Sequence, residues 1–271
     1  MYYFEPLAPQ DVSARALVLS LLSGAGAPPQ TIARLIKAAA LFGIEAPTLR
    51  VAVTRLLKEG LLESPERGLY RPGPRAQALT RRLQDWRNVA ARLAPWTGDW
   101  LIVLTHHLGR TDRKQLRARE RALTLTGFRE TPSALWVRPA NLAGRLDDQR
   151  ADLLALGADE TLTLLRASAF AGDVAAGWPA LWSPDILAAN YTAAMTAMQE
   201  SLARLPGQRA DAAAREALLI GQAVLRLINL DPLLPAELGN QPEFLRMVDQ
   251  MRAYNAAGQT CWRNYYAAAP L

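Results

Sequence analysis

The chain of 271 residues has little of the chemistry that enzymes and secreted proteins use. It contains a single cysteine, Cys261, and two histidines, His106 and His107. One cysteine excludes an intrachain disulfide and a cysteine-based metal cage. No apolar run approaches the roughly 18 residues that span a bilayer, and the start, MYYFEPLAP, has no basic region followed by an apolar one. We therefore expect a soluble, cytoplasmic protein without a membrane partner.

Catalytic motifs are also missing. The sequence has no G-x-S-x-G, P-loop, G-x-G-x-x-G or H-E-x-x-H pattern. We place His106 and His107 on a strand, where adjacent side chains point to opposite faces and do not readily share a metal ion. The sequence thus predicts a protein that is not an enzyme, with no catalytic residues, no metal site and no cofactor.

Positive charge is concentrated in the first third of the chain. Residues 1–95 have thirteen Lys and Arg against seven Asp and Glu, a net charge of +6 that equals the net charge of the whole chain. Residues 96–170 have a net charge of +2 and residues 171–271 one of −2. Judged by net charge, only the first third of the chain is suited to bind a phosphate backbone.

Three amphipathic helices are predicted in this basic third. The first begins after Ser13 as N-cap, the second follows Pro28-Pro29 and stops at Gly43, and the third begins at Pro47 and stops at Gly60. The short connector before the third helix fits a helix-turn-helix. The core stripe of the third helix comprises Leu49, Ala52, Val53, Leu56 and Leu57.

A short hairpin is predicted directly after the third helix. Leu61 and Leu62 begin one strand, Ser64 to Gly68 supply the turn, and Leu69 to Arg71 form the return strand before Pro72. Helices followed by a hairpin in this order are typical of a winged helix-turn-helix that binds DNA.

The polar side of this unit supplies the predicted DNA contacts. Arg50, Thr54 and Arg55 are expected to face the major groove, where arginine is the natural partner of the guanine edge. For Arg55, internal pairing with Glu59 or Glu63 remains an alternative. The full set of predicted DNA-binding residues is Thr48, Arg50, Thr54, Arg55, Lys58 and Arg67, of which Lys58 and Arg67 mainly contact phosphates.

We predict an α+β, multidomain chain with four segments. Residues 1–74 form the winged-helix domain and residues 75–95 a linker helix. Residues 96–170 form an α+β domain of β-α-β-(α)-β order, with a ferredoxin-like sheet as template. Residues 171–271 form a helical C-terminal domain, with helices at about 184–205, 210–230 and 235–257.

Three blocks of the sequence resemble the PaaX family of bacterial repressors, which control aromatic-acid catabolism. Arg50 to Leu62 is similar to the family's recognition helix and wing entry. Asp231 to Pro235 is similar to its helix-connecting motif. The remaining block consists of Trp96 to Trp100, Gly127-Phe128 and Leu135 to Pro139.

The resemblance, which runs over nearly the whole chain, implies how the protein works. It implies a central ferredoxin-like domain akin to Cas2 and a homodimer bound to a double-stranded DNA operator. It also implies a repressor of phenylacetate catabolism, released from DNA by an aryl-CoA or related acyl-CoA effector such as phenylacetyl-CoA. The residues that bind the effector are not assigned.

Two other functions stay open from the sequence. One is a Cas2-like metal-dependent nuclease or RNA-processing enzyme, for which Asp99 is the candidate metal ligand. The other is a protein-interaction module, because winged helices also bind proteins. Salt-dependent DNA affinity without cleavage distinguishes a DNA-binding regulator from both.

Overall fold

The computed structural model describes residues 3–22, 28–76 and 85–268. These residues form helices and two small antiparallel sheets, which confirms the predicted α+β class. Within the same ranges, no helix has both the length and the apolar character needed to cross a bilayer.

The chain divides into two compact units. The first comprises Met1–Arg87, Ala193–Arg226 and Met247–Leu271, and the second comprises Asn88–Thr192 and Leu227–Arg246. Neither unit is continuous in sequence, whereas the predicted domains are continuous segments. The predicted domain boundaries therefore stay a prediction.

Part of the predicted linker helix of residues 75–95, namely residues 77–84, lies outside the described residues. A 3-10 helix, Asp85–Arg92, follows them, with an interruption at Asn88, whose φ and ψ are not helical.

Three helices open the first unit: α1, Ala14–Leu22; α2, Ile32–Ala40; and α3, Ala46–Lys58. Their N-termini are capped by hydroxyl groups where the sequence offers them. Ser13 Oγ accepts a hydrogen bond from the Ala16 N–H at 3.1 Å, and Thr31 Oγ1 accepts one from the Arg34 N–H at 3.3 Å. The predicted cap at Ser13 is thus confirmed.

The apolar stripes of these helices meet in one core. Leu49, Val53 and Leu56 of α3 are buried, as predicted, whereas Ala52 and Leu57 are only partly buried. The buried residues of this core are Val12, Leu17, Val18, Leu22, Leu35, Ala39, Phe42, Leu49, Val53, Leu56, Leu62 and Leu219. This packing fixes which side of α3 faces outward.

A three-stranded antiparallel sheet completes this part of the first unit. Its strands are β1, Gln30–Thr31; β2, Leu62–Glu66; and β3, Leu69–Pro72, in the order β1-β3-β2. The predicted hairpin is present, but β2 extends to Glu66, so the turn is shorter than expected and consists of Arg67 and Gly68. Gly68 has φ +78°, which glycine adopts without strain.

The second unit is built on a four-stranded antiparallel sheet. The element order is β4, Trp100–Leu104; α4, Arg113–Leu125; β5, Arg129–Glu130; β6, Trp136–Pro139; α5, Leu146–Ala155; and β7, Thr163–Ala167. The strands lie in the order β5-β6-β4-β7. The sequence predicted every element except β5, which is two residues long and therefore too short for an alternating pattern.

Both faces of this sheet are covered by apolar side chains. Leu101 and Val103 of β4 pack against Leu123 of α4 and Leu153 of α5. On the opposite face, Trp100, Ile102 and Val137 pack against Trp178 and Trp182. Because successive strand residues point to opposite faces, the buried run of β4 is apolar throughout.

Three helices follow: α6, Pro184–Arg204; α7, Ala210–Leu230; and α8, Gln241–Ala267. The first two match the predicted bounds to within one residue. The third was predicted for residues 235–257, and those bounds are wrong. Residues 236–239 form turns, and Asn240 Oδ1 accepts a hydrogen bond from the Glu243 N–H, so α8 begins later than predicted.

Candidate nucleic-acid interface

Helix α3 exposes one arc of mostly polar side chains because its other side is held in the core. All six predicted DNA-binding residues are exposed, including Arg67 in the hairpin turn. At about 100° per residue, Thr54 and Lys58 lie near the middle of the exposed arc of α3. Arg50 lies toward one edge, and Thr48 and Arg55 lie toward the other.

Arg55 is not held by either of its candidate internal partners. Glu59 pairs with Arg15 at 2.7 Å, and Glu63 pairs with Arg71 at 2.5 Å. Within the described part of the chain, Arg55 forms no ion pair. Its guanidinium therefore remains available to an external anion.

Val51 is a residue that sequence reasoning missed. It is half exposed and lies in the middle of the exposed arc, between the two edges that Arg50 and Arg55 mark. Among the described residues, Val51 is not part of the core cluster of its unit, and half of its apolar side chain is open to solvent. The signal available in the sequence was its absence from the i, i+3, i+4 core stripe.

The Thr54 hydroxyl already donates a hydrogen bond within α3. Its Oγ1 donates to the carbonyl oxygen of Arg50 at 3.0 Å, one helical turn earlier. The hydroxyl oxygen keeps its capacity to accept a hydrogen bond, and the γ-methyl group stays on the exposed arc.

The hairpin is less cationic than its arginine content indicates. Arg71 on β3 is neutralised by Glu63 on β2. Arg67, at the turn, forms no ion pair among the described residues and is exposed. The available positive charge of the hairpin is therefore at its tip.

Helix α2 is anchored from its outer side by the end of α8. The Arg34 guanidinium lies 4.0 Å from the centre of the Tyr266 ring, and the Lys37 ammonium lies 5.2 Å from that of Tyr265. Tyr265 also donates its hydroxyl to the Lys37 carbonyl at 2.8 Å. Burial raises the pKa of Tyr266 to about 12. These two cations of α2 are thus engaged within the unit.

The candidate metal ligand of a nuclease is already engaged by a cation. Asp99 pairs with Arg166 at 2.6 Å, and Arg166 also donates to Thr97 Oγ1 at 3.2 Å. Among the described residues, no three His, Cys, Asp or Glu side chains are grouped as a metal site requires.

The histidines do not lie on a strand, contrary to the sequence prediction. β4 ends at Leu104, and His106 and His107 lie in the turn that follows, with ring centroids 5.4 Å apart. His107 Nε2 is 3.0 Å from the Thr161 carbonyl oxygen. Because the strand ends before the histidines, the alternation of side chains on which the prediction rested does not apply to them.

One pocket of the second unit lies beside a buried carboxylate. Tyr191 donates its hydroxyl to Asp231 Oδ2 at 2.5 Å, and Asp231 Oδ1 accepts from the Leu233 N–H at 2.8 Å. The pocket beside them has a volume of about 10 Å³, room for about one water molecule. An acyl-CoA does not fit there without rearrangement.

Comparison with known proteins connects the exposed helix of the first unit to a class of protein. The segment of residues 13–72, from α1 through β3, matches the family described as PaaX-like protein. This match confirms the resemblance to the PaaX family over that segment. Because the members of this family are regulators rather than enzymes, the match indicates a regulator of transcription.

A solved structure is similar over almost the whole chain. It is the uncharacterized protein Rv0674 from Mycobacterium tuberculosis, with 27% sequence identity and a TM-score of 0.63. The similarity covers 94% of this chain and 98% of that one. No curated protein matches this chain.

Proposed function

We propose that this protein is a dimeric, sequence-specific DNA-binding repressor. The observation that carries the proposal is the arc of α3, which exposes Arg50, Val51, Thr54 and Arg55 while the opposite side of the helix is buried. An exposed helix of this kind, with cations and short polar side chains, suits the major groove.

In this proposal α3 is the recognition helix of a winged helix-turn-helix. Arg50 donates two hydrogen bonds to guanine O6 and N7, worth about 1 to 3 kcal/mol of discrimination against other bases. Thr48, Thr54 and Arg55 complete the groove-facing set. Lys58 on α3 and Arg67 at the hairpin tip bind phosphates without reading bases.

Val51 adds an apolar contact to this set. Thymine presents a C5-methyl group in the major groove, and an apolar side chain recognises it by burial. We propose that Val51 packs against one thymine methyl in each half-site. This contact would use the half-exposed side chain that the first unit leaves uncovered.

The dimer and its control extend the proposal. Two recognition helices would enter major grooves one helical turn apart, roughly 34 Å, or a multiple of it. The strand order β5-β6-β4-β7, with β-α-β-β-α-β connectivity, supports a ferredoxin-like, Cas2-like second unit. An acyl-CoA such as phenylacetyl-CoA would release the repressor by binding one of its two states more tightly.

Arg50→Ala tests the central claim. An operator is first selected from a randomised duplex library by the wild-type protein, and the affinities for it and for an unrelated duplex are then compared. Arg50→Ala is expected to remove most of the preference for the operator and to leave the affinity for the unrelated duplex nearly unchanged.

Arg209→Ala is the matched control. Arg209 also lies in the first unit and is highly exposed, but it lies outside α3, so its loss should not change the preference. If Arg50→Ala protects the same bases as the wild type in a footprint, α3 is not the recognition helix.

A further inference from the structure

Helix α4 of the second unit exposes a row of cations. Arg113, Arg117 and Arg121 are spaced four residues apart, so they form one ridge about 12 Å long. Lys114 lies beside this ridge, and Arg110 precedes the helix in the loop. We call these five exposed residues the α4 row: Arg110, Arg113, Lys114, Arg117 and Arg121.

The α4 row has no carboxylate partner among the described residues. The inward cation of the same helix, Arg119, holds Asp159 in two hydrogen bonds of 2.6 and 3.1 Å. Asp112 is used as the helix cap, with Oδ1 accepting from the N–H groups of Lys114 and Gln115. Glu120 lies at the edge of the exposed arc and forms no ion pair in the described residues.

The α4 row opposes the stability of its own helix. Arg113 and Lys114 are in the first turn, where the helix dipole favours anions. Like charges four residues apart on a helix repel each other. Cations in these positions therefore gain nothing from the helix dipole or from one another, whereas a bound anion would relieve both costs.

The surroundings of the row distinguish between classes of partner. The apolar side of α4, with Ala122 and Leu123, is buried against the sheet. An interfacial membrane helix needs that side free, and the core of a protein interface is depleted in charge. Among the described residues, this helix has no exposed large hydrophobic side chain, and an extended cationic ridge of this kind suits a linear polyanion.

We propose that the α4 row is a second DNA contact, which binds backbone phosphates without reading sequence. The net charge of +2 for residues 96–170 conceals it, because folding segregates the charges and pairs Asp159 and Asp99 with Arg119 and Arg166. This second contact rests on the proposed function, which identifies the ligand as DNA. Arginine side chains suit the role since they bind phosphate bidentately.

The salt dependence of DNA affinity tests this contact. The triple variant Arg113→Gln/Arg117→Gln/Arg121→Gln is compared with the wild type on the selected operator and on an unrelated duplex of equal length, each with flanks of about one helical turn. The slope of log affinity against log salt concentration should fall in magnitude by about 3 on both duplexes. Thermal melting of each protein verifies that it is folded.

A second triple variant controls for net charge. Arg145→Gln/Arg209→Gln/Arg246→Gln removes three exposed cations outside the row, each of which lies in a surface ion pair. Its slope should be closer to that of the wild type than to that of the α4 triple variant. Equal slopes for the two triple variants would overturn the proposal, since the effect would then be one of net charge.

The outcomes separate this contact from the recognition helix. If the wild type prefers its operator but the salt slope of the α4 triple variant is unchanged, the α4 contact is overturned and the proposed function stands. A reduced slope in a protein that has no operator preference would support the α4 contact and overturn the proposed function. A wild-type protein that binds neither duplex would overturn both.

Discussion

The hydroxyl of Tyr191 lies 2.5 Å from Oδ2 of Asp231, and both groups are buried in the second unit. Burial raises the pKa of Asp231 to about 6, while the hydrogen bonds from Tyr191 and the Leu233 N–H and the charge of Arg129 act to lower it. Burial also raises the pKa of Tyr191, which keeps its hydroxyl protonated as the donor. Asp231 thus ties the segment after α7 to α6.

The pKa of Asp231 predicts a specific pH dependence of stability. Between about pH 4 and pH 6 the folded chain keeps a proton on Asp231 that the unfolded chain has lost. The contribution of Asp231 to the free energy of unfolding therefore falls as pH rises through this window and is constant above it. Its size is on the order of 3 kcal/mol.

Asp231→Asn removes this titration while keeping an oxygen acceptor. We expect the stability of the variant relative to the wild type to rise between pH 4 and pH 6, as measured by urea denaturation. Asp159→Asn is the comparison with opposite sign, because the hydrogen bond from Arg119 lowers the pKa of Asp159. The stability advantage of the wild type over that variant should shrink as pH falls. A pH-independent difference for Asp231→Asn would contradict the assignment.

Gly127→Ala should destabilise the second unit. Gly127 has φ +86°, and a β-carbon there would lie 2.7 Å from the Pro232 carbonyl oxygen. The side chain would meet rigid backbone in a conformation that only glycine adopts easily. We expect a loss of at least about 2 kcal/mol in the free energy of unfolding. Gly177→Ala is the control, since nothing lies within 4 Å of that site, and it should have little effect.

The Val51 contact can be tested by removing methyl groups from either side of it. In the selected operator, each thymine is replaced in turn by deoxyuridine, which lacks the C5-methyl group. At one thymine position in each half-site, this replacement should lower the affinity of the wild-type protein by roughly three- to tenfold, which is about the effect of losing one buried methyl group. Val51→Ala should lower affinity and abolish this difference. If every deoxyuridine operator weakens both proteins equally, Val51 does not read a methyl group.

The aromatic anchor of α2 makes a prediction about stability. Tyr266→Ala removes the ring that lies over Arg34 and exposes apolar surface, so we expect a loss of about 2 kcal/mol in urea denaturation. Tyr266→Phe keeps the ring and loses only the hydrogen bond to the Arg34 carbonyl at 3.4 Å. It should cost less than half as much. Tyr3→Ala, at an exposed tyrosine, should be nearly neutral.

Several elements were predictable because their signals are local. The stripe of Leu49, Val53 and Leu56 has the helical period, and Gly60 and Pro47 mark the ends of α3. The exposure of Arg50, Thr54 and Lys58 follows from the same periodicity. The start of α8 was not predictable to the same accuracy, because turns formed by residues 236–239 compete with the helix.

The sequence by itself determined the α+β class, the order of most elements and the side of α3 that faces outward, because side-chain periodicity is a local property. Only the tertiary structure decided which charges remain free. Arg119 meets Asp159 forty residues later, and Arg166 meets Asp99 sixty-seven residues earlier. Pairing over such separations depends on how strands and helices pack, so no local pattern reveals that the α4 row has no carboxylate partner in the described part of the chain.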